Sequence, residues 1–168
     1  MALAWSLVSR NGGSCGVDNQ SIEQIRNEGV EKFLEELHNE LKGHNYDPST
    51  IRRAYIPKPN GEKRPLGIPT VKDRVAQMAV KIVIEPLFEA DFQESSFGFR
   101  PKRSAHQALK VVHYKSNRQK WVVDVDLKGY FDTIPHVELM DKVKHRIHEK
   151  SLIYLIRKWL KAGIQEEG

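Results

Sequence analysis

The chain has 168 residues, of which 39% are hydrophobic and 29% charged, and its formal net charge is +5 at pH 7. This composition is ordinary for a soluble globular protein, and the length suffices for one domain with a core or for part of a larger enzyme. The most apolar stretch, residues 78–88, is short and contains Lys81, Glu85 and Pro86, which excludes a membrane span there. The single cysteine, Cys15, cannot form an internal disulfide and fits a reducing compartment, so we expect a cytoplasmic protein.

The N-terminal part of the chain is predicted to be helical. Residues 2–8 can form a short helix, and a flexible NGGSCG turn follows. Ser21 and Gln24 have the spacing of a capping box, in which each side chain accepts a hydrogen bond from the backbone of the other residue. Apolar residues then recur about every 3.6 positions, which predicts a helix to about Lys42, although Gly29 weakens its middle.

The positive charge is concentrated in one segment, residues 51–74. This segment contains seven basic and two acidic residues, whereas the rest of the chain contains 20 of each. Such a concentration indicates a polyanionic partner, nucleic acid or a triphosphate. A solubilising surface is the alternative explanation.

A β-hairpin is predicted within this basic segment. Residues 51–57 and 63–68 read as two strands, and the sequence Pro59-Asn60-Gly61 between them is typical of a hairpin turn. A basic hairpin that projects into solvent is well suited to contact phosphate groups.

A helix and a basic loop are predicted next. The helix has an apolar stripe that starts at Val75, and Pro86 should kink or end it. The loop, residues 95–103, interleaves basic residues with Phe97 and Phe99, an arrangement that suits a nucleic-acid backbone or base stack. A packing loop held by two buried phenylalanines is the competing interpretation.

The C-terminal part is predicted to contain a helix, a strand and two further helices. A capping box at Ser104 starts a helix that should end near Asn117. Residues 121–126 read as a strand, and helices are expected over residues 136–148 and 151–162.

The most informative motif is VVDVDLKGYFDTI at residues 122–134. Successive side chains of a strand point to opposite faces, so Asp124 and Asp126 should share one face. Two carboxylates that close together repel each other unless a cation lies between them, and Mg²⁺ prefers oxygen ligands. The motif is typical of a metal-dependent phosphoryl-transfer site, although an edge strand with a solvated acidic face explains the spacing equally well.

Four blocks of the sequence, in this order, resemble the N-terminal part of group II intron-encoded reverse transcriptases, also called maturases. They are NGGSCGVD at residues 11–18, YIPKPNGEKRPLGIPTVKDRVAQ at 55–77, FGFRP at 97–101 and VDVDLKGYFDTIPH at 123–136.

The resemblance implies a helix-rich α+β fold, in which a small antiparallel finger sheet lies beside the first palm strand or strands. It also implies three regions: an N-terminal extension and helix over residues 1–50, fingers over 51–118, and the start of a truncated palm over 119–168. The partners that follow from it are template or intron RNA, a DNA primer and a dNTP, with no membrane.

The resemblance further implies roles for residues of the palm. Asp126 matches the first metal-binding aspartate and would coordinate two Mg²⁺ ions, and Leu127 would offer its backbone carbonyl to one of them. Phe131 matches the aromatic residue that lies under the deoxyribose and excludes a 2′-hydroxyl, although it could simply belong to the core. Asp124 is expected to be a supporting carboxylate.

In the fingers, Lys58 and Arg64 match the positions that hold the triphosphate. Arg64 would grip it through two parallel hydrogen bonds, and Lys58 would act as a point charge. Lys63 and Arg100 are weaker candidates for contacts with template or nucleotide phosphates.

One departure from the family pattern is large. The Tyr-Ala-Asp-Asp block that supplies the other metal carboxylates is absent from these 168 residues, and so is the glycine-rich block that precedes it. We therefore interpret the chain as an N-terminal piece that binds Mg²⁺ weakly at most and does not polymerise by itself. A homodimer through an exposed, truncated palm is a further expectation.

Two other functions remain open at this point. The Asp-x-Asp spacing also resembles haloacid dehalogenase-type phosphatases and metal-dependent glycosyltransferases, but Lys128 stands where the phosphatase pattern has threonine or valine. The other possibility is an RNA-binding module without catalysis, which would hold intron RNA through Arg52, Arg53, Lys58, Lys63 and Arg64.

Overall fold

The computed structural model of the chain describes residues 1–59, 61–127 and 129–166. The elements in chain order are α1 (Ala2–Asn11), α2 (Ile22–Glu28), α3 (Val30–Lys42), β1 (Ile51–Pro57), β2 (Lys63–Ile68), α4 (Val71–Glu89), α5 (Ala105–Ser116), α6 (Tyr130–Thr133), α7 (His136–Lys144), α8 (Lys150–Lys161) and β3 (Ile164–Gln165). This is the helix-rich α+β fold that the sequence predicts.

The capping box at Ser21 forms as predicted. The Gln24 backbone NH donates to Ser21 Oγ at 3.1 Å, and the Ser21 backbone NH donates to Gln24 Oε1 at 2.7 Å. The single helix predicted beyond it is instead two helices, because Gly29 adopts φ 113°, a backbone conformation that no helix contains and that glycine adopts without a steric penalty.

The core lies where the N-terminal helices meet the first turns of α4. Its buried side chains are Ala4, Val8, Ile22, Ile25, Leu37, Tyr46, Val71, Val75 and Ala76. From α8, Leu155 and Trp159 pack against this cluster and are partly buried. The base of the hairpin and the C-terminal helix are therefore attached to the same core.

The sheet has the order β2-β1-β3. β1 and β2 form the predicted antiparallel hairpin, with a register from Arg52↔Ile68 to Pro57↔Lys63. β3 pairs with β1 in parallel, through Ile51↔Ile164 and Arg52↔Gln165. This third strand was not predicted. The central turn residue, Asn60, lies outside the described residues.

One buried carboxylate, Asp73, holds both ends of the hairpin. It accepts hydrogen bonds from the Ser49 backbone NH at 3.2 Å, just before β1, and from Thr70 Oγ1 at 2.7 Å, just after β2. It also accepts one from the Tyr46 hydroxyl at 2.6 Å, and that hydroxyl in turn accepts one from Trp159 Nε1 at 3.0 Å. We call these five residues the Asp73 cluster; it fixes the hairpin relative to α4 and α8.

The predicted palm strand over residues 121–126 is wrong for this structure. Residues 121–127 have no regular secondary structure, and none of the described strands pairs with them. Their side chains are exposed, with Trp121 at 90% and Val123 at 85% of full exposure. A β-strand forms only when a neighbouring strand satisfies its backbone NH and C=O groups, and the described residues supply no such neighbour here.

None of the helices in the described ranges is long and apolar enough to cross a membrane.

Candidate active site

An open cleft of about 1010 Å³ lies between the hairpin and the segment that follows the acidic motif. Five of the residues singled out in the sequence line it together: Lys58, Arg64, Asp126, Leu127 and Phe131. The first two come from the hairpin and the other three from residues 126–131, more than 60 positions later. The fold thus brings two basic side chains and a carboxylate to one cavity.

The cleft wall turns at Gly129. This residue adopts φ 62° and ψ 30°, the left-handed conformation that costs a residue with a side chain about 1 kcal/mol or more. The turn starts the one-turn helix α6, which presents Tyr130 and Phe131 to the cleft. Their rings lie 5.5 Å apart at 65°, an edge-to-face pair. Phe131 is 88% exposed, so it is not a core residue.

The two cations of the hairpin differ in whether they form an ion pair within the protein. Lys58 Nζ donates to Glu62 Oε2 at 2.8 Å, and both side chains remain well exposed. Such exposed pairs contribute little to stability, so an incoming phosphate can replace Glu62 at small cost. Arg64 lines the cleft and makes no ion pair with the residues that the structure describes.

Asp126 and a second carboxylate, Asp132, line the cleft together. Both are exposed, and Asp132 was not singled out as a site residue in the sequence. The available signal was its position six residues after Asp126, within the same block. Asp124 is exposed as well but does not line the cleft.

The chemistry of these donors fits a magnesium ion that keeps much of its water. Two carboxylates and the backbone carbonyl groups beside them are oxygen ligands, which Mg²⁺ prefers, and this ion commonly binds through one or two carboxylates plus substrate phosphates. Within the described ranges, no group of three His, Cys, Asp or Glu side chains is arranged to hold a metal ion. An all-protein metal site is therefore not built from these residues.

Lys63 does not line the cleft. Adjacent residues of a strand point to opposite faces, so Lys63 and Arg64 at the start of β2 cannot both face the same cavity. Lys63 is exposed and can contact phosphates only on another face of the hairpin.

Arg100 is used inside the protein. Its guanidinium donates to the Glu89 carboxylate, with the shortest contact at 2.6 Å, and to the carbonyl oxygens of Gln93 at 2.8 Å and Ser96 at 2.9 Å. The side chain is only 6% exposed. The hydrogen bonds from Arg100 hold the pKa of the Glu89 carboxyl below its ordinary value.

The basic loop is therefore packed through Arg100 and not through two buried phenylalanines. Phe99 is fully exposed and has φ 55°, while Phe97 is partly buried under the Arg103 guanidinium, 5.5 Å from the ring centroid. The packing interpretation of this loop is thus right for Arg100. The exposed ring of Phe99 is still available to contact a ligand.

Two of the five hairpin residues proposed as RNA contacts are also engaged within the protein. Arg53 lies 3.7 Å from Glu166 and its side chain is 22% exposed. Arg52 Nε is buried. The hairpin presents Lys58, Lys63 and Arg64 as its exposed basic side chains.

Comparison with known proteins identifies the family of the chain. Residues 56–168 match the family model described as "Reverse transcriptase (RNA-dependent DNA polymerase)". The chain is 42% identical over 170 residues to "Protein YkfC" of Escherichia coli (strain K12), an alignment that covers 97% of this chain and 44% of the relative.

It is 39% identical over 163 residues to the "Group II intron-encoded protein LtrA" of Lactococcus lactis subsp. cremoris, which covers 96% of this chain and 26% of that protein. It is also 30% identical over 86 residues, 51% of this chain and 12% of the relative, to the "Nuclear intron maturase 2, mitochondrial" of Arabidopsis thaliana. The chain thus spans less than half the length of these curated relatives. The match to the family model and the near-complete coverage by the first two relatives show that the chain belongs to the reverse transcriptase family, among the group II intron-encoded reverse transcriptases and maturases.

Proposed function

We propose that the chain forms the nucleotide-gripping fingers and the first metal-binding carboxylate of an RNA-directed DNA polymerase. The observation that carries this proposal is the cleft, which gathers Lys58 and Arg64 from the hairpin with Asp126 and Phe131 from a distant segment. Family membership makes template RNA, a primer and a dNTP the general ligands of such a cleft.

The hairpin residues bind the triphosphate. The planar guanidinium of Arg64 can donate two parallel hydrogen bonds to one phosphate group, which fixes its orientation. Lys58 adds a compact positive charge once its exposed pair with Glu62 opens. Both interactions act on phosphates and leave the identity of the base to pairing with the template.

Residues 126–132 of the opposite wall act on the sugar and the reacting end. The exposed ring of Phe131 lies under the sugar and leaves no room for a 2′-hydroxyl. Asp126 and Asp132, which line the cleft together, would hold hydrated Mg²⁺, and Leu127 would add a backbone carbonyl oxygen. In a complete enzyme, the chemistry supplied at this site by Mg²⁺ would be activation of the primer 3′-hydroxyl and stabilisation of the pyrophosphate leaving group.

The 168 residues alone do not polymerise. Only the first of the metal-binding blocks of the family pattern is present in the sequence, so too few carboxylates are available to hold two ions. The alternative function, an RNA-binding module without catalysis, needs only the exposed basic side chains of the hairpin. The phosphatase and glycosyltransferase interpretations gain no support from the family match, and a homodimer gains none either.

One experiment with two readouts tests this proposal. The purified chain is incubated with a fluorescently labelled, primed RNA template, Mg²⁺ and dNTPs, and both anisotropy and primer extension are followed. We expect binding that weakens steeply with salt, because phosphate contacts release counterions, and no extension product. A complete reverse transcriptase serves as the positive control for extension.

The variant Lys58→Gln with Arg64→Gln removes the two hairpin cations at the cleft. It should bind the primed template more weakly than the unchanged chain and with a shallower salt dependence. Extension that disappears in Asp126→Asn would contradict the proposed inactivity of the chain. Unchanged binding by the double hairpin variant would contradict the assigned role of the hairpin.

A further inference from the structure

A second positive region lies outside the basic hairpin. Residues 136–161, which include α7 and α8, contain seven lysine and arginine residues and three acidic residues, a surplus of four positive charges. The N-terminal residues 1–50, in contrast, contain more acidic than basic residues. The α7–α8 pair is therefore one of the positive regions of the chain, beside the hairpin segment and residues 95–120, which contain seven basic residues and no acidic ones.

The structure gathers part of this charge in a groove between the two helices. The groove has a volume of about 260 Å³. Its polar walls carry Lys144, His136 and the acidic Asp141 from α7, and Arg157 and Lys161 from α8. Buried Met140 contributes to its apolar floor. Three permanent cations thus face one carboxylate.

That one carboxylate is already neutralised by its own helix. Lys144 Nζ donates to Asp141 Oδ1 at 2.9 Å. This hydrogen bond, together with the charges of Lys144, His145 and Arg157, holds the pKa of Asp141 below its ordinary value, which indicates a positive local potential. The two cations on the facing helix remain to bind a ligand.

Arg157 and Lys161 are those two cations. They are one helical turn apart on α8, so their side chains share a face. Both are exposed, and neither makes an ion pair or a side-chain hydrogen bond with any residue in the described ranges. Two unpaired cations beside a neutralised acid form a site for an anion.

The groove lies close to the cleft. Helix α6, which carries Tyr130 and Phe131, ends at Thr133, and α7 begins at His136, a residue of the groove. Asp132 of the cleft and His136 of the groove are four residues apart, so at most about 14 Å of chain separates them. At its far end α8 leads into β3, which pairs with β1 of the basic hairpin.

We propose that the groove between α7 and α8 is a second phosphate-binding surface, which holds the sugar-phosphate backbone of an RNA strand beside the cleft. This inference rests on the proposed function, because it takes the RNA of that function as its ligand. The planar guanidinium of Arg157 matches a phosphate group, and the adjacency to a cleft for nucleotides favours RNA over an acidic polypeptide.

The test compares double variants by anisotropy with a labelled single-stranded RNA over a range of salt concentrations. The groove variant is Arg157→Gln with Lys161→Gln, and the hairpin variant is Lys58→Gln with Arg64→Gln. The matched control is Arg26→Gln with Lys32→Gln, which removes two exposed positive charges from α2 and α3 in the acidic N-terminal region.

For a single strand, the slope of log K against log salt falls by about 0.7 for every phosphate that the protein no longer neutralises. The groove variant should therefore have a slope shallower by about 1.4, and it should bind about 25-fold more weakly at ~0.1 M salt if the affinities converge near ~1 M salt. The control variant should keep most of the slope. The charge-preserving variant Arg157→Lys with Lys161→Arg should also keep it, and circular dichroism with thermal melting confirms that each variant is folded.

The outcomes separate the inference from the proposed function. If the groove variant binds RNA as the control does while the hairpin variant is weakened, the groove does not hold RNA and the inference is overturned. If the hairpin variant binds as the unchanged chain does, the proposed function fails, whatever the groove variant does. Poly-glutamate is tested in parallel, and weaker poly-glutamate binding by the groove variant with unchanged RNA binding would assign the groove to an acidic polypeptide.

Discussion

At the residue scale, Asp73 connects both ends of the basic hairpin to the core. The side chain is 2% exposed, and its oxygens accept hydrogen bonds from residues on both sides of the hairpin, Ser49 and Thr70. Burial and the hydrogen bond to Asp73 raise the pKa of the Tyr46 hydroxyl, which therefore stays protonated and donates. A buried carboxylate costs little only when such donors surround it.

Removing this carboxylate should destabilise the fold. In Asp73→Ala the buried hydroxyls of Tyr46 and Thr70 and the partly buried backbone NH of Ser49 lose their acceptor. Leaving buried donors unsatisfied and losing hydrogen bonds to a charged group should lower the free energy of unfolding by about 3 kcal/mol. Urea denaturation followed by circular dichroism measures the change.

The matched control for this prediction is Asp47→Ala. Asp47 is 81% exposed and lies 3.0 Å from Lys158, so its removal should change the free energy of unfolding little. Equal effects of the two substitutions would show that the Asp73 cluster does not fix the hairpin.

At the element scale, the loop between α4 and α5 is held through a pair of residues that are 11 positions apart. Arg100 binds the carboxylate of Glu89 on α4 and two carbonyl oxygens of the loop itself. The sequence showed an arginine among aromatic residues, which also suits nucleic-acid binding. Whether Arg100 packs the loop or binds nucleic acid depends on Glu89, its partner on α4. No local sequence pattern identifies Glu89 as this partner.

The Glu89–Arg100 pair should make stability depend on acid pH. Because the folded state lowers the pKa of Glu89 below 4.5, the pair contributes stability above that pH, and the contribution disappears as the pH falls through the lowered value. Glu89→Gln should therefore unfold at lower urea concentration than the unchanged chain at pH 7, and the difference should shrink as the pH falls below 4.5. A difference that grows on acidification would contradict this sign.

At the scale of the whole molecule, local signals predicted the elements that form locally. The capping boxes at Ser21 and Ser104 and the β1–β2 hairpin are present because neighbouring residues satisfy one another. The third strand, β3, and the unpaired state of residues 121–127 depend on partners far away in the sequence. No short-range pattern encodes such a partner, which is why both were missed.

The same distinction applies to the candidate site. Lys58, Arg64, Asp126 and Phe131 could be singled out from short motifs, and the fold places them on one cleft. Strand alternation and side-chain packing determine the other members of the cleft lining. They place Asp132 on the cleft and keep Lys63 and Arg100 away from it. These three-dimensional relations decide which residues of a basic segment are available to a ligand.

The most direct test of the account is photocrosslinking with 4-thio-dTTP in the presence of Mg²⁺, followed by tryptic digestion and mass spectrometry. We expect the label within the tryptic peptide of residues 129–142, which forms one wall of the cleft, and much weaker labelling in Lys58→Gln with Arg64→Gln but not in Arg26→Gln with Lys32→Gln. Labelling confined to residues 2–42, or labelling of residues 129–142 that the removal of Lys58 and Arg64 leaves unchanged, would contradict a nucleotide site in this cleft.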